Sequence, residues 1–370
     1  MNCYDFAVVG GGIAGASLAA RLAGRASVLL LEQESAPGYH STGRSAALYS
    51  ALYGNESIAA ITRASRSFFD APPAGFSEYP LLSPRGVLYA GAASDAAIIE
   101  ALVRSPLARR IGSDEALRLV PMLAPASAAV CAYEPDAFDV DVHALHQGFL
   151  RMARAGGVER VCNAGVTGLD RDANHWQLST ATGSFRARVV VNAAGAWADR
   201  VAQLASAGSL GVQPYRRTAM IIDVGHQVDC GRWPAVVAAD ESFYFKPDAG
   251  LLLASPADET PSEPCDAQPE ELDIAICADL IETRTALKIR RIVRSWAGLR
   301  SFAPDRTPVV GYDASVPDFF WLAGQGGYGV QTAPALSAAA AALALREALP
   351  AYVVDEGLDA SRLSPHRFAQ

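Results

Sequence analysis

The sequence predicts an α/β protein with two interleaved domains, and three observations support that prediction. A β-α-β unit opens the chain at residues 6–31. Residues 189–197 form a buried strand followed by small residues, and residues 319–345 form an apolar strand, a glycine turn and a long helix. Between them, residues 213–300 contain short apolar runs typical of strands. We therefore expect a discontinuous Rossmann-type domain with an inserted α+β domain that carries a largely antiparallel sheet.

The first unit combines a glycine turn with an acid at a defined distance. Gly10 permits the tight turn after the strand, Gly12 lets the backbone approach a pyrophosphate, and Gly15 lets the helix pack closely on the sheet. Glu32 ends the second strand about twenty residues beyond the first glycine, where it can accept hydrogen bonds from ribose hydroxyls and repel a 2′-phosphate. The unit therefore predicts a site for an ADP-containing cofactor. Its expected contacts are Gly10, Gly12, Ile13, Ala14, Gly15, Glu32 and Gln33.

The elements that follow are predicted from periodicity and from turn residues. They are a polar, glycine-marked loop at 37–47, a proline-rich crossing at 72–85, helical periodicity at 92–119, a helix at 142–155, and two strands within 176–191 that meet at 182–183. The strand at 189–191 then leads back into the first domain. We find no internal repeat.

Composition excludes some classes of function. The net charge is −8 and no basic run stands out, so nucleic acid is not expected as a main partner. No apolar run reaches the length of a membrane span and no signal peptide is visible, which predicts a cytoplasmic protein without an integral membrane segment. Contact with the inner face of a membrane stays open. The six cysteines and six histidines lack metal-like spacing, so no metal is expected, and His143 and His146 are interpreted as exposed helix residues.

Longer motifs make the interpretation more specific. Residues 192–197 and 324–332, together with 38–47, 72–84, 240–244 and 296–302, resemble the D-amino acid oxidase family of FAD enzymes. Within that family the chain is most similar to the bacterial FAD-dependent D-arginine dehydrogenases. The resemblance implies non-covalent FAD and hydride transfer from the substrate Cα to flavin N5. It also implies an imino acid product that hydrolyses to a 2-oxo acid and ammonia, a reaction of amino acid catabolism.

The order of the predicted elements gives the expected domain boundaries. We expect the FAD-binding domain at 1–80, 140–209 and 305–370, and the substrate domain at 81–139 and 210–304.

Flavin contacts are expected at both ends of the chain. The glycine turn at 324–329 opens a helix, whose N–H groups and dipole can stabilise negative charge on a reduced flavin. The resemblance implies that the Gly327 carbonyl accepts a hydrogen bond from the substrate amine. Beyond the ADP site, the residues matched to cofactor contacts are Ser41, Thr42, Ser45, Ala46, Leu48, Val166, Trp197, Gly326, Gly327, Tyr328, Gly329, Val330 and Gln331.

Four side chains match the catalytic machinery of the family. Arg217 and Arg300 are expected to bind the substrate carboxylate, because the arginine fork fits a carboxylate with two hydrogen bonds. Arg216 is the alternative to Arg217 if the strand presents its other face. Tyr53 and Tyr244 match active-site tyrosines that bind the substrate or form a pocket wall. No dedicated base is obvious, and the substrate amine can lose its proton to solvent.

The side-chain pocket departs from that of the D-arginine dehydrogenases. Val87 stands where those enzymes have a glutamate for the guanidinium, Leu48 replaces a histidine, and Ser50 replaces a threonine. A buried guanidinium against valine would lack a counter-charge. We therefore expect a neutral or hydrophobic amino acid of D configuration as substrate. Glu241 is a residual acid that could still receive a basic side chain.

Alternatives stay open at this stage. One is a sarcosine- or glycine-type secondary-amine oxidase, and another is a D-arginine dehydrogenase with altered guanidinium recognition. A flavin-bound redox sensor or a non-catalytic assembly subunit belongs to a different class, against which the paired arginines and tyrosines argue. A quinone or the respiratory chain is an expected electron acceptor, with oxygen as the other choice.

Overall fold

A computed structural model describes residues 3–172 and 174–368, and we number its elements in chain order. The strands are β1 (Cys3–Val9), β2 (Val28–Leu31), β3 (Leu48–Tyr49), β4 (Leu82–Pro84), β5 (Val87–Gly91), β6 (Arg109–Ile111), β7 (Val130–Glu134), β8 (Phe138–Val140), β9 (Glu159–Val161), β10 (Val166–Arg171), β11 (Trp176–Thr180), β12 (Gly183–Asn192), β13 (Gln213–Asp223), β14 (Ala235–Ala238), β15 (Tyr244–Asp248), β16 (Leu251–Ser255), β17 (Thr260–Pro261), β18 (Arg291–Phe302), β19 (Val309–Tyr312) and β20 (Phe319–Ala323). The helices are α1 (Ile13–Leu22), α2 (Glu56–Asp70), α3 (Ala96–Leu102), α4 (Ser113–Leu119), α5 (Val142–Ala155), α6 (Ala198–Leu204), α7 (Glu271–Arg284), α8 (Gly329–Ala344), α9 (Ala351–Asp355) and α10 (Ala360–Leu363).

The first sheet has a parallel centre. β12, β1, β2 and β9 lie side by side in parallel, and β20 adds to β12 in the same direction. Side chains alternate between its faces, so Val8 packs toward α1, α5 and α8, whereas Ala7 packs toward α6 and β11. Burial on both faces explains why β1 and β2 are continuous apolar runs. This arrangement is the predicted Rossmann-type layer.

The second sheet is largely antiparallel, as predicted. Its strands follow the order β17-β13-β16-β15-β14-β5-β7-β6, and β18 pairs along the length of β13. Only the neighbours β14 and β5 run parallel in this described sheet. A small third sheet, in the order β3-β8-β4, is antiparallel. The fold class expected from the sequence is therefore confirmed.

Most predicted elements correspond to observed ones. The helix expected at 142–155 is α5, the paired strands are the hairpin β11–β12, and the last unit is β20 followed by α8. The helical periodicity at 92–119 was misleading, because α3 and α4 are separated there by strand β6. Pro106 provides the reason, since proline cannot continue a helix and disfavours helical backbone in the residue before it.

The predicted domain boundaries stay a prediction. Strands of the first sheet come from residues 3–31, 159–192 and 309–323, whereas strands of the second sheet come from 87–134 and 213–302. Residues 1–2, 173 and 369–370 lie within the predicted domain ranges but outside the residues that the structure describes.

Candidate active site

One elongated cavity of about 940 Å³ runs from the carboxyl ends of the first sheet to a face of the second sheet. Of the residues expected at the site, Gly15, Val87 and Arg216, the alternative to Arg217, do not line it. The others that line it are Gly10, Gly12, Ile13, Ala14, Glu32, Gln33, Ser41, Thr42, Ser45, Ala46, Leu48, Ser50, Tyr53, Val166, Trp197, Arg217, Glu241, Tyr244, Arg300, Gly326, Gly327, Tyr328, Gly329, Val330 and Gln331. The structure thus brings residues from distant parts of the chain around one space.

The N-terminal glycine turn forms one end of the cavity. Gly10 has a φ of +108°, and a Cβ atom there would collide with the carbonyl oxygen of Ala193. A Cβ atom at Gly15 would collide with the carbonyl oxygen of Gly10, so this glycine permits close packing of α1. A Cβ atom at Gly12 would meet only the Thr42 hydroxyl, at 3.3 Å. Gly12 therefore leaves open space that a cofactor backbone can use.

Glu32 lies at the end of β2, beside the glycine turn. Its Oε2 accepts a hydrogen bond from the Gly11 N–H and its Oε1 accepts one from the Glu34 N–H, each at 2.9 Å. Burial raises the pKa of Glu32, although these two N–H groups and His40 oppose that effect. The backbone bonds fix the carboxylate with lone pairs left over, as a ribose-binding acid requires.

His146 differs from its expected place on an exposed helix surface. It is buried, and its Nε2 donates a hydrogen bond to the Gly11 carbonyl oxygen at 2.9 Å. Burial lowers the pKa of His146, which keeps the ring neutral. The buried Phe149 and Leu150 lie three and four residues further along α5, so helical periodicity already placed His146 on the inward face. In the described part of the chain, no His, Cys, Asp and Glu side chains cluster to hold a metal ion.

The loop after β2 lies between the two ends of the cavity. The Thr42 hydroxyl accepts a hydrogen bond from the Ile13 N–H at 2.9 Å, which places Thr42 at the start of α1. The Ser41 hydroxyl donates to the Leu299 carbonyl at 2.6 Å and so links the loop to β18. These two residues, which were expected to contact the flavin, fix the loop between α1 and β18.

A buried lysine that the sequence did not single out supports the end of this loop. Lys246 on β15 donates to the Ala47 carbonyl at 3.2 Å and forms an ion pair with Asp139 at 2.7 Å. Ala47 has a φ of +58°, and its N–H donates to the Ser45 hydroxyl at 3.0 Å. Lys246 thus holds the loop in a conformation that few non-glycine residues adopt.

The C-terminal glycine turn forms another part of the wall. Gly326 has a φ of +55°, and a Cβ atom there would collide with the Phe302 ring. A Cβ atom at Gly327 would lie 3.0 Å from the Arg300 Cζ atom. Because α8 begins at Gly329, the turn points the positive end of the helix dipole toward the cavity. The absence of side chains here lets Arg300 approach the backbone.

Gln331 uses its side chain to hold the chain at Ser50. Its Oε1 accepts from the Ser50 N–H and its Nε2 donates to the Ser50 carbonyl, both at 3.2 Å. The same Nε2 also donates to the Thr62 hydroxyl at 2.9 Å. The amide group therefore fixes the cavity wall opposite α8, a role that spacing along the sequence does not reveal.

The two candidate arginines differ in what they already bind. Arg300 donates to the Tyr53 hydroxyl at 2.8 Å and has no carboxylate partner among residues 3–172 and 174–368. Arg217 donates to the Asp258 carbonyl at 2.7 Å and pairs with Glu259 at 3.1 Å. Arg300 is consequently the cation better prepared to receive an external carboxylate.

Neighbouring residues complete this end. Arg216 points away from the cavity and pairs with Asp273 at 3.0 Å, so β13 presents Arg217 rather than Arg216 to the cavity. Arg306 pairs with Glu259 at 2.5 Å, and both residues line the cavity although the sequence did not single them out.

The pocket beyond Arg300 has apolar walls and a few polar groups. Val87 is fully buried in β5, behind the wall, and pairs across strands with Glu134 of β7. Tyr89, two residues further along β5 and on the same face, does line the cavity. Glu241 lines it as an exposed side chain. The apolar residues of this region are Leu48, Leu52, Ile98, Leu102, Ala235, Val237 and Phe243.

Known proteins share this fold and parts of the sequence. The chain is 24% identical over 208 residues to hydrogen cyanide synthase subunit HcnC of Pseudomonas aeruginosa, covering 56% of this chain and 49% of HcnC. It is 24% identical to the uncharacterized oxidoreductase YurR of Bacillus subtilis, covering 64% of this chain and 62% of YurR. The chain thus spans about half the length of the curated relatives it matches.

Solved structures are similar over nearly the whole chain. L-proline dehydrogenase from P. horikoshii superposes with a TM-score of 0.84 at 22% identity, covering 99% of this chain and 98% of that one. Glycine oxidase from Geobacillus kaustophilus gives a TM-score of 0.83 at 22% identity and covers 99% of both chains. At this identity the likeness establishes a shared fold.

The family model for DAO, FAD dependent oxidoreductase, matches residues 5–343. The cavity fits that cofactor, since glycines clear one end beside Glu32 and a second glycine turn clears the wall at Arg300. FAD is the cofactor of this protein, which belongs to the DAO family of FAD-dependent oxidoreductases.

Proposed function

We propose that this protein oxidises a free amino acid at its Cα–N bond. The observation that carries the proposal is Arg300, a cavity-lining arginine without a carboxylate partner among the described residues. Binding FAD alone does not require such a cation at the substrate end. A substrate carboxylate would supply the missing counter-charge.

The residues of the site can hold an amino acid in a reactive orientation. The guanidinium of Arg300 and the hydroxyl of Tyr53 would bind the carboxylate, with Tyr244 beside them. The carbonyl of Gly327 would accept a hydrogen bond from the amine. FAD held in the cavity would supply the two-electron oxidant for the substrate Cα. Because the carboxylate and the amine are both fixed, Cα has little freedom to turn. This positioning contributes to the rate of oxidation at Cα.

Release of the product follows from ordinary imine chemistry. The substrate amine loses a proton to solvent before the oxidation, and the imino acid formed afterwards hydrolyses to a 2-oxo acid and ammonia. Hydrolysis needs only water, so the protein need not contribute a further group.

We propose a neutral, largely hydrophobic side chain and the D configuration for the substrate. Apolar groups dominate the wall around Val237 and Leu52, and no acid replaces Val87 on its own strand. The D configuration follows the resemblance to D-arginine dehydrogenases, whereas the relatives and structures named above include none of those enzymes. An alternative is a D-arginine dehydrogenase that binds the guanidinium differently. Two acids that line the cavity, Glu241 and Glu259, favour it.

A secondary-amine oxidase is the other candidate. Glycine oxidase and L-proline dehydrogenase share this fold at TM-scores of 0.83 and 0.84, and proline is itself a secondary amine. Sarcosine, glycine and proline therefore belong in any substrate test. Because HcnC is named as a subunit, a non-catalytic role within an assembly is a further candidate. The same experiment tests it.

Anaerobic flavin bleaching separates these functions. The purified yellow protein would be mixed, without oxygen, with D- and L-amino acids, sarcosine and glycine. We expect neutral D-amino acids such as D-leucine, D-methionine and D-phenylalanine to bleach the flavin, with a larger kcat/KM than D-arginine. Preference for D-arginine would contradict the proposed side-chain class, and bleaching by no compound would contradict the function.

Three further expectations stay proposals. FAD is held without a covalent bond to cysteine, since no cysteine lines the cavity in the described part of the chain. The electron acceptor is a quinone or the respiratory chain. The protein works in the cytoplasm, with contact to the inner face of a membrane as the alternative.

Within residues 3–172 and 174–368, none of the helices combines the length and the apolar character needed to span a bilayer.

A further inference from the structure

Glu134 is a buried carboxylate beside the cavity. Its side chain belongs to β7, is 1% exposed, and forms no ion pair with Lys, Arg or His in the described residues. A buried carboxylate without a counter-charge is costly unless hydrogen bonds compensate it. The role of Glu134 therefore depends on which groups donate hydrogen bonds to it.

Two hydroxyl groups and the backbone satisfy this carboxylate. Its Oε2 accepts from the Ser50 hydroxyl at 2.7 Å and from the Tyr89 hydroxyl at 3.1 Å. Its Oε1 accepts from the Ala51 N–H at 3.1 Å. We call Ser50, Tyr89 and Glu134 the acceptor corner.

The direction of these bonds fixes what the acceptor corner offers to a ligand. A hydroxyl group has one proton to donate and lone pairs to accept with. Ser50 and Tyr89 both donate their proton to Glu134, and both line the cavity. Only their lone pairs remain for a molecule inside the cavity. The corner therefore accepts hydrogen bonds and does not donate them.

We propose that Glu134 determines specificity by making this corner an acceptor, so that the substrate must place a hydrogen-bond donor there. The inference rests on the proposed function, oxidation of an amino acid. Two groups of an amino acid can supply the donor: the amine, or an N–H or O–H group on the side chain. With apolar walls around the corner, the fitting side chain is neutral and hydrophobic except for one donor.

Glu134→Gln reverses the polarity of the corner with little change in volume. The Ala51 N–H must still meet an oxygen, so the amide oxygen of glutamine takes the place of Oε1. The amide NH₂ then faces Ser50 and Tyr89 and donates to them. The two hydroxyl oxygens lie 3.4 Å apart, so only one of the two protons can be donated between them. At least one proton must turn toward the cavity, where a substrate donor would meet a further donor. A lost or reversed hydrogen bond in a buried site changes affinity by about tenfold.

The test compares wild type, Glu134→Gln and a control, Tyr133→Phe. Tyr133 is next to Glu134 but on the opposite face of β7, so its variant leaves the corner intact. Anaerobic flavin reduction would be followed with matched pairs, glutamine against methionine and asparagine against leucine, in both configurations. Binding of benzoate and 2-aminobenzoate to the oxidised holoenzyme, measured from the flavin spectrum, gives a second readout without turnover.

The two sources of the donor give different results. If the side chain supplies the donor, wild type and Tyr133→Phe favour glutamine over methionine. In Glu134→Gln the preference for glutamine over methionine falls about tenfold. If the amine supplies it, Glu134→Gln weakens every amino acid alike and removes the preference for 2-aminobenzoate over benzoate. A Glu134→Gln protein that binds FAD and keeps all the wild-type ratios overturns the inference.

Failure of the proposed function would give a different result. In that case no amino acid reduces the wild-type flavin, yet the two benzoates still report on the corner through binding. Binding of glutamine and methionine to the oxidised holoenzyme is then compared in the same way. Unchanged ratios for both pairs, the benzoates and the amino acids, in Glu134→Gln would overturn the inference on its own.

Discussion

The two arginines that line the cavity show how much a residue's partners matter. Among the described residues, Arg300 donates only to Tyr53, whereas Arg217 pairs with Glu259, a carboxylate that Arg306 shares. Spacing along the sequence treats them as equivalent, because it shows the residue type but not the pairing. The structure ranks them, since a free cation gains more from an incoming carboxylate than a paired one does.

Arg300→Gln should therefore cost more activity than Arg217→Gln. We expect kcat/KM for a reactive amino acid to fall about 100-fold or more in Arg300→Gln, the equivalent of about 3 kcal/mol, because the substrate carboxylate loses its counter-charge. In Arg217→Gln the loss should be about tenfold or less. Steady-state kinetics on proteins with equal flavin content provide the comparison. Equal losses in the two variants would contradict this ranking.

Glu134 should make stability depend on pH in a defined direction. Burial raises its pKa, so the folded protein binds this proton more tightly than the unfolded chain does. The resulting stabilisation is fully present below the unfolded pKa, about 4.3, and is lost as the pH rises through the folded pKa. Glutamine does not titrate. The free energy of unfolding of Glu134→Gln should thus rise relative to wild type as the pH increases.

Urea unfolding of both holoenzymes at several pH values between about 4.5 and 8 would measure that difference. A difference that stays constant, or that falls as the pH increases, would show that the Glu134 pKa is not raised in the folded protein.

At the scale of elements, the contact between α1 and the glycine turn is the least tolerant of added volume. A Cβ atom at Gly15 would collide with the Gly10 carbonyl, and backbone on both sides cannot move aside as a side chain can. Gly15→Ala should therefore destabilise the protein by about 3 kcal/mol or more and reduce its FAD content. Flavin absorbance and thermal unfolding provide the measurements.

Gly208→Ala is a matched control for that change. Gly208 lies in an exposed segment, its φ is not in the left-handed region, and nothing lies within 4 Å of an added Cβ atom. We expect its stability to stay within about 0.5 kcal/mol of wild type with full FAD content. A Gly15→Ala protein that behaves like this control would show that the close packing is not needed.

The sequence predicted regular elements well where their periodicity was local. The helix at 142–155 and the hairpin at 176–191 correspond closely to α5 and to β11–β12. It did not predict the pairing of β5 with β7, which brings Glu134 beside Val87. That pairing depends on the register between two strands that are separated by other elements along the chain, about which local pattern carries no information.

For the whole molecule, the sequence predicted the two glycine turns and the kind of cofactor between them. It could not predict how the cavity is closed, because the walls meet only after the two sheets pack together. Lys246 and Glu259 became visible only through that packing. Each is a polar side chain whose meaning comes from a partner far along the chain.

The order in which the first sheet is assembled also has a consequence during protein synthesis. β1 pairs in parallel with β2 and β12, so it lacks one of its two neighbours until β12 has been made. At about 5–20 residues per second, a ribosome takes on the order of 10–40 seconds to pass from β1 to β12. The nascent chain therefore carries an apolar strand without one of its neighbours throughout that time. Chaperones that cover such a strand would find their substrate on the ribosome, before any flavin can bind.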